Sequence, residues 1–431
     1  MKDLWEKLRN LYRKHGAAQT RRLLGRYALR ASEARLGPSG RQRRTVLAAL
    51  QSELSAGGFE RVILRRGSFG WHTPLFQRAQ QLARAMGRRG CFVLYEAAAP
   101  HDRLRAAEKL GEGLWLVNLR CPSFARRLER LAERSGLPCR LMLASPESRV
   151  PLRLVRAYER RGWTLLYDYI DAISGEISVG TSPPRRTLAL YHHAMESRSC
   201  AVLASSLALL RDAEEQRGRG GAILAENGVD YAFFSRPAPC PEDAAFRALL
   251  DRGRPIVCYY GALARWLDYE ALRAIAADGR FDLLLLGVKY DASFDAGLAL
   301  RENVFFLGPR PYAELKAYAA RCDVLLIPFR KGTVGDAASP VKLFEYFALA
   351  RPVVAGDVAE CRRYDSVLIA PTAADYVPCI ERALRLGGDA AYLAREREEA
   401  RAADWLRRAE TVRAALRLRE REQREGNLTL F

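Results

Sequence analysis

Residues 324–356 read VLLIPFRKGTVGDAASPVKLFEYFALARPVVAG. An apolar run, VLLIPF, leads into a glycine-containing loop, RKGTVGDAA. Ser339 then stands as a helix N-cap, with Pro340 as the first helical residue. The helix VKLFEYFALA stops before Arg351-Pro352, where a new apolar run begins. A helix that starts just past the carboxyl end of a strand offers free N–H groups and the positive end of its dipole, which suits an anion. Lys342 adds a mobile positive charge suited to phosphate. Glu345, three residues on, shares its helix face and can accept two hydrogen bonds from vicinal hydroxyls. Phosphate at the helix start and ribose one turn deeper is the layout a nucleotide-sugar diphosphate needs. The alternative at this point is that Lys342 and Glu345 form only an i,i+3 ion pair.

Other chemistries lack their residues. No G-x-G-x-x-G follows a strand, and there is no G-x-x-x-x-G-K-[ST], H-E-x-x-H or G-x-S-x-G. A nicotinamide enzyme, a P-loop kinase, a zincin and an α/β-hydrolase are therefore disfavoured. His192-His193 with Glu196 reads either as a metal site or as surface and packing residues. With no zinc finger, aromatic ribonucleoprotein pattern or basic heptads, nucleic acid is not an expected partner.

The elements that must position Lys342 and Glu345 are legible as texture. From residue 60, short apolar runs alternate with helical patterns: RVILRR, CFVLYEA, GLWLVNL, LPCRLMLAS, WTLLYDYID, CAVLASS and GAILAENGV. These strands are apolar without alternation, so both faces are covered, and strands alternating with helices imply a doubly wound parallel sheet. Ser235–Pro241 carries three Pro in five residues, a stiff extended linker. The alternation then restarts with PIVCYYGAL, FDLLLLGV, NVFFLG, DVLLIPF, PVVAGD and SVLIAP. Two Rossmann-like halves facing a cleft, with the carboxyl ends of both sheets lining it, are the expectation. The expected limits are a basic helical extension over 1–57, α/β domains over 58–237 and 245–400, and a charged helix and tail over 401–431. The charged tail reads as a solvated helix face.

The chain has 431 residues, enough for two or three domains. Its 70 Lys plus Arg against 50 Asp plus Glu give a net charge of +20. Only eight of the 70 are Lys, so the excess is Arg, as an Arg-rich coding bias also produces. Residues 1–60 hold 13 basic and five acidic residues. Residues 1–57 read as amphipathic helix, either docked on the core or lying on an anionic membrane surface. The nine Cys are widely spaced without C-x-x-C, which reads as free thiols in a reducing compartment. No apolar h-region follows the N-terminus, and no apolar run approaches the roughly 18 residues of a membrane span. The expected location is cytoplasmic, with peripheral attachment to the inner membrane face through residues 1–57.

SPVKLFEYFALARPVVAGD resembles the donor-binding segment of bacterial GT-B glycosyltransferases, nearest to those of exopolysaccharide and teichuronic-acid-type synthesis. The resemblance runs over about residues 60–400. It includes GSFGWHTPLFQRAQQLARAMGRRG, LLYDYIDAISG, ILAENGVDYAFF, YYGALARWLDYEAL, FLGPRPYAEL and DVLLIPF, in family order. It implies that Gly261 lets backbone approach the diphosphate. It also implies that Arg310, Pro311 and Tyr312 form the base-binding loop, mainly through backbone and ring contacts. Ser339, Pro340 and Lys342 would serve the phosphates and Glu345 the ribose. Gly70, Trp71 and His72 would form the cleft loop on the acceptor side. Asp168 and Asp171 would lie at a strand end beneath the cleft, with Asp171 favoured as general base; helix capping is the other reading of Asp171. Trp71 and Trp266 read equally as packing or sugar-stacking residues. Many retaining members carry E-x7-E, but Ala337 stands at the first Glu position, with Asp336 adjacent and out of register. This leans toward an inverting mechanism.

The expectation is thus an α/β GT-B enzyme that moves a sugar from a nucleoside-diphosphate sugar, UDP before GDP, to a glycan or lipid-linked glycan. Neither cofactor nor metal is expected. The alternatives are an epimerase-like enzyme acting on the sugar nucleotide and a non-enzymatic basic scaffold on membrane or nucleic acid.

Overall fold

The computed structural model describes residues 37–73, 76–99, 102, 104–173, 183–332 and 339–428. Fourteen described strands form two sheets, one of eight strands and one of six. The chain divides into two compact units, residues 1–73 with 90–140, and residues 74–89 with 141–431.

The first unit contains β1 (Arg61–Arg65), β2 (Cys91–Glu96), β3 (Ala107–Gly111) and β4 (Leu114–Val117), in the order β3-β4-β2-β1. β1, β2 and β4 are parallel and wholly buried, as their unbroken apolar texture requires. β3 departs from the expected all-parallel sheet, because it pairs antiparallel with β4. Only Glu112 and Gly113 link them, and so short a link joins antiparallel strands alone; Gly113 supplies the positive φ of 59°. β3 escaped the sequence reading because it is a polar edge strand, AEKLG. Helix Gly40–Ser55 begins at a capping box between Ser39 and Gln42. It is docked: Glu53 accepts from the Gly113 N–H and the Trp115 indole N–H, and pairs with Lys109 at 3.1 Å. The rest of the expected basic extension, residues 1–36, lies outside the described residues.

The division between units passes through β5 (Cys139–Ala144). The second unit carries β6 (Thr164–Tyr169), β7 (Ala201–Ala204) and β8 (Ile223–Leu224), in parallel order β6-β7-β8. It also holds the six-stranded sheet of β9 (Ile256–Tyr260), β10 (Asp282–Leu286), β11 (Val304–Gly308), β12 (Val324–Ile327), β13 (Val353–Gly356) and β14 (Val367–Ala370). The order is β11-β10-β9-β12-β13-β14, and every described pairing is parallel. From β9 the chain proceeds outward on one side through β10 and β11, then returns to β9's other side as β12. The crevice at the carboxyl ends of β9 and β12 is therefore a topological switch point, where open α/β sheets bind ligands.

The charged C-terminal stretch forms two helices, Ala390–Ala402 and Trp405–Leu428. The break between them is held by Val229, whose N–H donates to Ala403 and whose carbonyl accepts from Trp405. The expectation of a solvated face is corrected here. Trp405, Ala409, Val412 and Leu416 form a buried stripe, and Arg413 donates to the Arg89 carbonyl at the end of helix Arg78–Arg88. Four apolar positions at helical spacing suffice to dock a helix whose other positions are charged. Among the described residues no helix is long and apolar enough to cross a membrane. All nine cysteines are free thiols, seven of them buried.

Candidate functional site

Helix Val341–Leu349 starts past the carboxyl end of β12, as the sequence implies. The cap differs by one residue. Pro340 is the N-cap, with φ −68° and ψ 111°, and Ser339 precedes it. Among the described residues the buried Ser339 hydroxyl has no hydrogen-bond partner, so it does not serve as a side-chain cap. Proline at this place fixes φ and has no N–H to satisfy, so the helix begins without a capping hydroxyl.

Lys342 and Glu345 are not an ion pair. Both Glu345 oxygens are taken by phenols: Tyr260 donates at 2.5 Å and Tyr312 at 3.0 Å. Gln81 in turn donates to the Tyr312 hydroxyl at 2.7 Å. Glu345 is only 3% exposed, and burial raises its carboxyl above the ordinary range despite these donors and the Lys342 charge. The Lys342 ammonium lies 4.8 Å from the centre of the Phe329 ring and 5.4 Å from that of Tyr259. Burial lowers it to about 8, outweighing the attraction of Glu345. Among the described residues it has no carboxylate ion-pair partner.

Gly261 follows β9 with φ 145°, a conformation that L-residues avoid. A Cβ there would sit 2.8 Å from the Tyr259 hydroxyl and 3.2 Å from Lys342 Cε. Glycine thus keeps Lys342 and backbone together at the β9 end. Gly287, after β10, is a missed partner. Its φ is 144°, and a Cβ would meet the Gly261 carbonyl oxygen at 1.7 Å. The signal was the lone glycine closing LLLLGV.

Tyr312 opens helix Tyr312–Ala319 after Pro311 and packs on Phe233, Phe234 and Phe76. The Arg310 guanidinium turns inward, to Asp243 at 2.6 Å, Tyr318 at 3.0 Å and the Leu307 carbonyl at 2.5 Å. Its side chain therefore holds the loop through Asp243, Tyr318 and the Leu307 carbonyl.

Asp168 and Asp171 have different surroundings. Asp168, fully buried, accepts from Arg78 Nε at 2.9 Å. Removing Arg78 would leave a buried unpaired charge, a cost of about 3–5 kcal/mol. Asp168 is thus an ion-pair partner. Asp171 has its backbone tied to the Ser145 hydroxyl, which takes the Asp171 N–H and donates to its carbonyl. Burial, with a smaller contribution from the Asp168 charge, raises the Asp171 carboxyl to about 6. The Ser-Gly-Glu on which the capping alternative rests lies outside the described residues, as do Asp336 and Ala337.

Gly70, Trp71 and His72 lie in the first compact unit. The Trp71 and His72 N–H groups donate to Asp102 at 3.2 and 2.8 Å. Trp71 is buried edge-on against Tyr95 at 5.3 Å, which makes it a packing residue, whereas His72 is exposed. A Cβ on Gly70 would strike Ala99 at 2.1 Å. Trp266 packs on Tyr290 at 5.3 Å. His193 bonds Glu159 at 2.8 Å, and His192 packs edge-on against Tyr191. Sequence reasoning missed the roles of Arg78, Gln81, Asn227, Tyr260 and Gly287. Arg78 and Gln81, three apart in a buried helix, were the available signal.

Two parallel-dominated sheets with alternating helices, the six-stranded one followed after β12 by the helix that carries Lys342, have the architecture of the GT-B fold. Residues 254–385 match the family described as Glycosyl transferases group 1. The chain is thus similar to glycosyltransferases over this segment, and its fold is that of GT-B glycosyltransferases. It is 26% identical over 258 residues to TuaH of Bacillus subtilis, whose name assigns it to teichuronic acid biosynthesis as a glycosyltransferase. That alignment covers 56% of this chain and 64% of TuaH. Solved structures share the fold. Sucrose-phosphate synthase from Thermosynechococcus elongatus superposes with a TM-score of 0.61 at 18% identity, covering 83% of this chain and 98% of that one. Anabaena HepE, in complex with UDP and glucose, gives 0.55 at 14% identity, covering 83% and 99%.

Proposed function

We propose that the protein transfers a sugar from a nucleoside-diphosphate sugar, a UDP-sugar before a GDP-sugar, to a hydroxyl of a glycan or lipid-linked glycan in cell-surface polysaccharide synthesis. One observation carries the reading. Gly261, Lys342 and the start of helix Val341–Leu349 converge where β9 and β12 end, with Lys342 lacking an acidic partner among the described residues. UDP in the HepE complexes and the name of TuaH support the donor and the acceptor class.

In this reading residues 245–400 bind the donor and residues 58–237 the acceptor. Lys342 and the helix start take the diphosphate, and the remaining lone pairs of Glu345 take the ribose. Asp171 accepts the proton of the attacking hydroxyl as the bond to the sugar forms and the diphosphate leaves. Positive groups stabilise the leaving group, so no metal or cofactor is required. Ala337 at the first position of E-x7-E favours inversion. The protein works in the cytoplasm, with residues 1–36 meeting the inner membrane face.

Calorimetry with UDP and GDP tests the donor site. Lys342→Ala removes a charge-assisted contact of about 1.5–3 kcal/mol, so affinity falls by about 10- to 150-fold. Undiminished binding sinks the assignment. Product formation that requires an added acceptor separates transfer from epimerisation.

A further inference from the structure

Asn227 follows β8 in the segment Ala225-Glu226-Asn227-Gly228-Val229 and is 7% exposed. Its side-chain amide joins two groups distant in sequence. Nδ2 donates to the Ser339 carbonyl at 2.5 Å, and Oδ1 accepts from Arg78 Nη1 at 3.2 Å. A guanidinium only donates and a carbonyl only accepts, so the amide has one orientation that satisfies both.

The segment around Asn227 is clamped. Arg78 also donates to the Glu226 carbonyl at 3.2 Å, with Asp168 as its counter-ion. The Glu226 carboxylate holds Arg363, which also binds Glu360 at 2.6 Å, and Arg408 at 2.8 Å. Arg408 donates to the Asn227 carbonyl at 3.2 Å. A Cβ on Gly228 would lie 2.3 Å from the Ala403 carbonyl oxygen, so the backbone there is pressed against the break between the last two helices. The Ser339 carbonyl therefore hangs from a fixed point.

Ser339 is the residue before the N-cap of the donor helix. Pro340 fixes its own φ through its ring, so the free variable in the helix approach is the Ser339–Pro340 peptide plane. Asn227 holds that plane by its oxygen. With the plane fixed, the first N–H groups of the helix, the Ser339 hydroxyl and Lys342 have fixed places relative to an anion, which a preorganised site requires.

We propose that Asn227 is a positioning residue for the diphosphate, and that Arg78, held by Asp168, positions Asn227. The proposal rests on the donor reading of Ser339, Lys342 and Glu345. It gives Asp168 a task other than proton transfer.

The test compares wild type, Asn227→Asp and Lys342→Ala, each titrated with UDP and with uridine by calorimetry and ligand-observed NMR. An aspartate at 227 keeps an acceptor for Arg78 but has no donor for the Ser339 carbonyl. The expected result is about a tenfold loss of UDP affinity with uridine affinity unchanged, as for one lost hydrogen bond. A merely structural role would weaken both ligands alike and leave their ratio at the wild-type value, which overturns the proposal. So does UDP binding that Asn227→Asp leaves intact while Lys342→Ala weakens it. If Lys342→Ala leaves UDP binding unchanged, or wild type does not bind UDP, the donor reading falls and this proposal with it. If Asn227→Asp does not fold, Arg78→Lys is read instead. It keeps a cation against Asp168 but loses the fork to Asn227, and about a threefold fall in the UDP-to-uridine ratio is expected; an unchanged ratio overturns the proposal.

Discussion

With Asp171 as the proposed base and Lys342 as the proposed phosphate cation, the two should set opposite limits on one pH window. The Asp171 carboxyl, raised to about 6 by burial, accepts a proton only when ionised, so turnover falls tenfold per unit as pH drops below about 6. The Lys342 ammonium, lowered to about 8, is charged below that value, so nucleotide affinity falls as pH rises above about 8. Steady-state kinetics and calorimetry between pH 5 and 9.5 check the two limbs separately. A UDP affinity flat to pH 9.5 excludes Lys342 as the phosphate cation. Asp171→Asn should reduce turnover by about 10²- to 10⁴-fold while sparing nucleotide affinity; near-normal turnover removes Asp171 as base. Lys342 and Glu345 were legible because strand, loop, proline and helix are contiguous there. Tyr260 and Tyr312 as the holders of Glu345 were not, because they come from other strands and loops, and nothing local announces a contact across 85 or 33 residues.

Helix Val341–Leu349 is bounded by two backbone devices. At its start the chain depends on Gly261, whose φ of 145° and lack of Cβ let Lys342 lie close. Gly261→Ala should cost on the order of 1–3 kcal/mol of stability and displace Lys342. A lower melting temperature together with weaker UDP binding is the expected pair of results. At its end Ala350 adopts the left-handed region, with φ 50° and ψ 57°, the C-cap conformation that glycine adopts without strain. Ala350→Gly should therefore stabilise the protein by about 1 kcal/mol without touching ligand affinity. A denaturant midpoint that does not rise would contradict the strain. Among the strands, β3 alone was illegible, since a polar edge strand has neither burial on both faces nor alternation to mark it.

The net charge of +20 has a clearer distribution once the described part of the N-terminal extension is seen to be docked. Helix Gly40–Ser55 is tied to β3 and β4 through Glu53, so the segment left for a membrane surface is residues 1–36. Removing residues 1–36 should reduce sedimentation with anionic liposomes while leaving UDP affinity at the wild-type value. Liposome binding that survives the deletion assigns the attachment to the rest of the surface. The C-terminal helix is the opposite case. Its charge suggested solvent, but Trp405, Ala409, Val412 and Leu416 dock it, and Arg408 enters the clamp on Glu226 and Asn227.

Periodicity, proline and glycine placement and the run of residues 324–356 were enough for the α/β class, for thirteen of the fourteen described strands, and for a lysine and a glutamate on the helix that follows β12. Those signals are local, set by contacts within a few residues of chain. The partners of the site are not local. Arg78 meets Asp168 across 90 residues and Asn227 meets Ser339 across 112. The cost of a buried charge or an unpaired amide is known only when the surrounding elements are in place. The Arg78 ion pair likewise separates the surroundings of Asp168 from those of Asp171, because a carboxylate's partner depends on what the packed fold puts beside it and not on its neighbours in sequence.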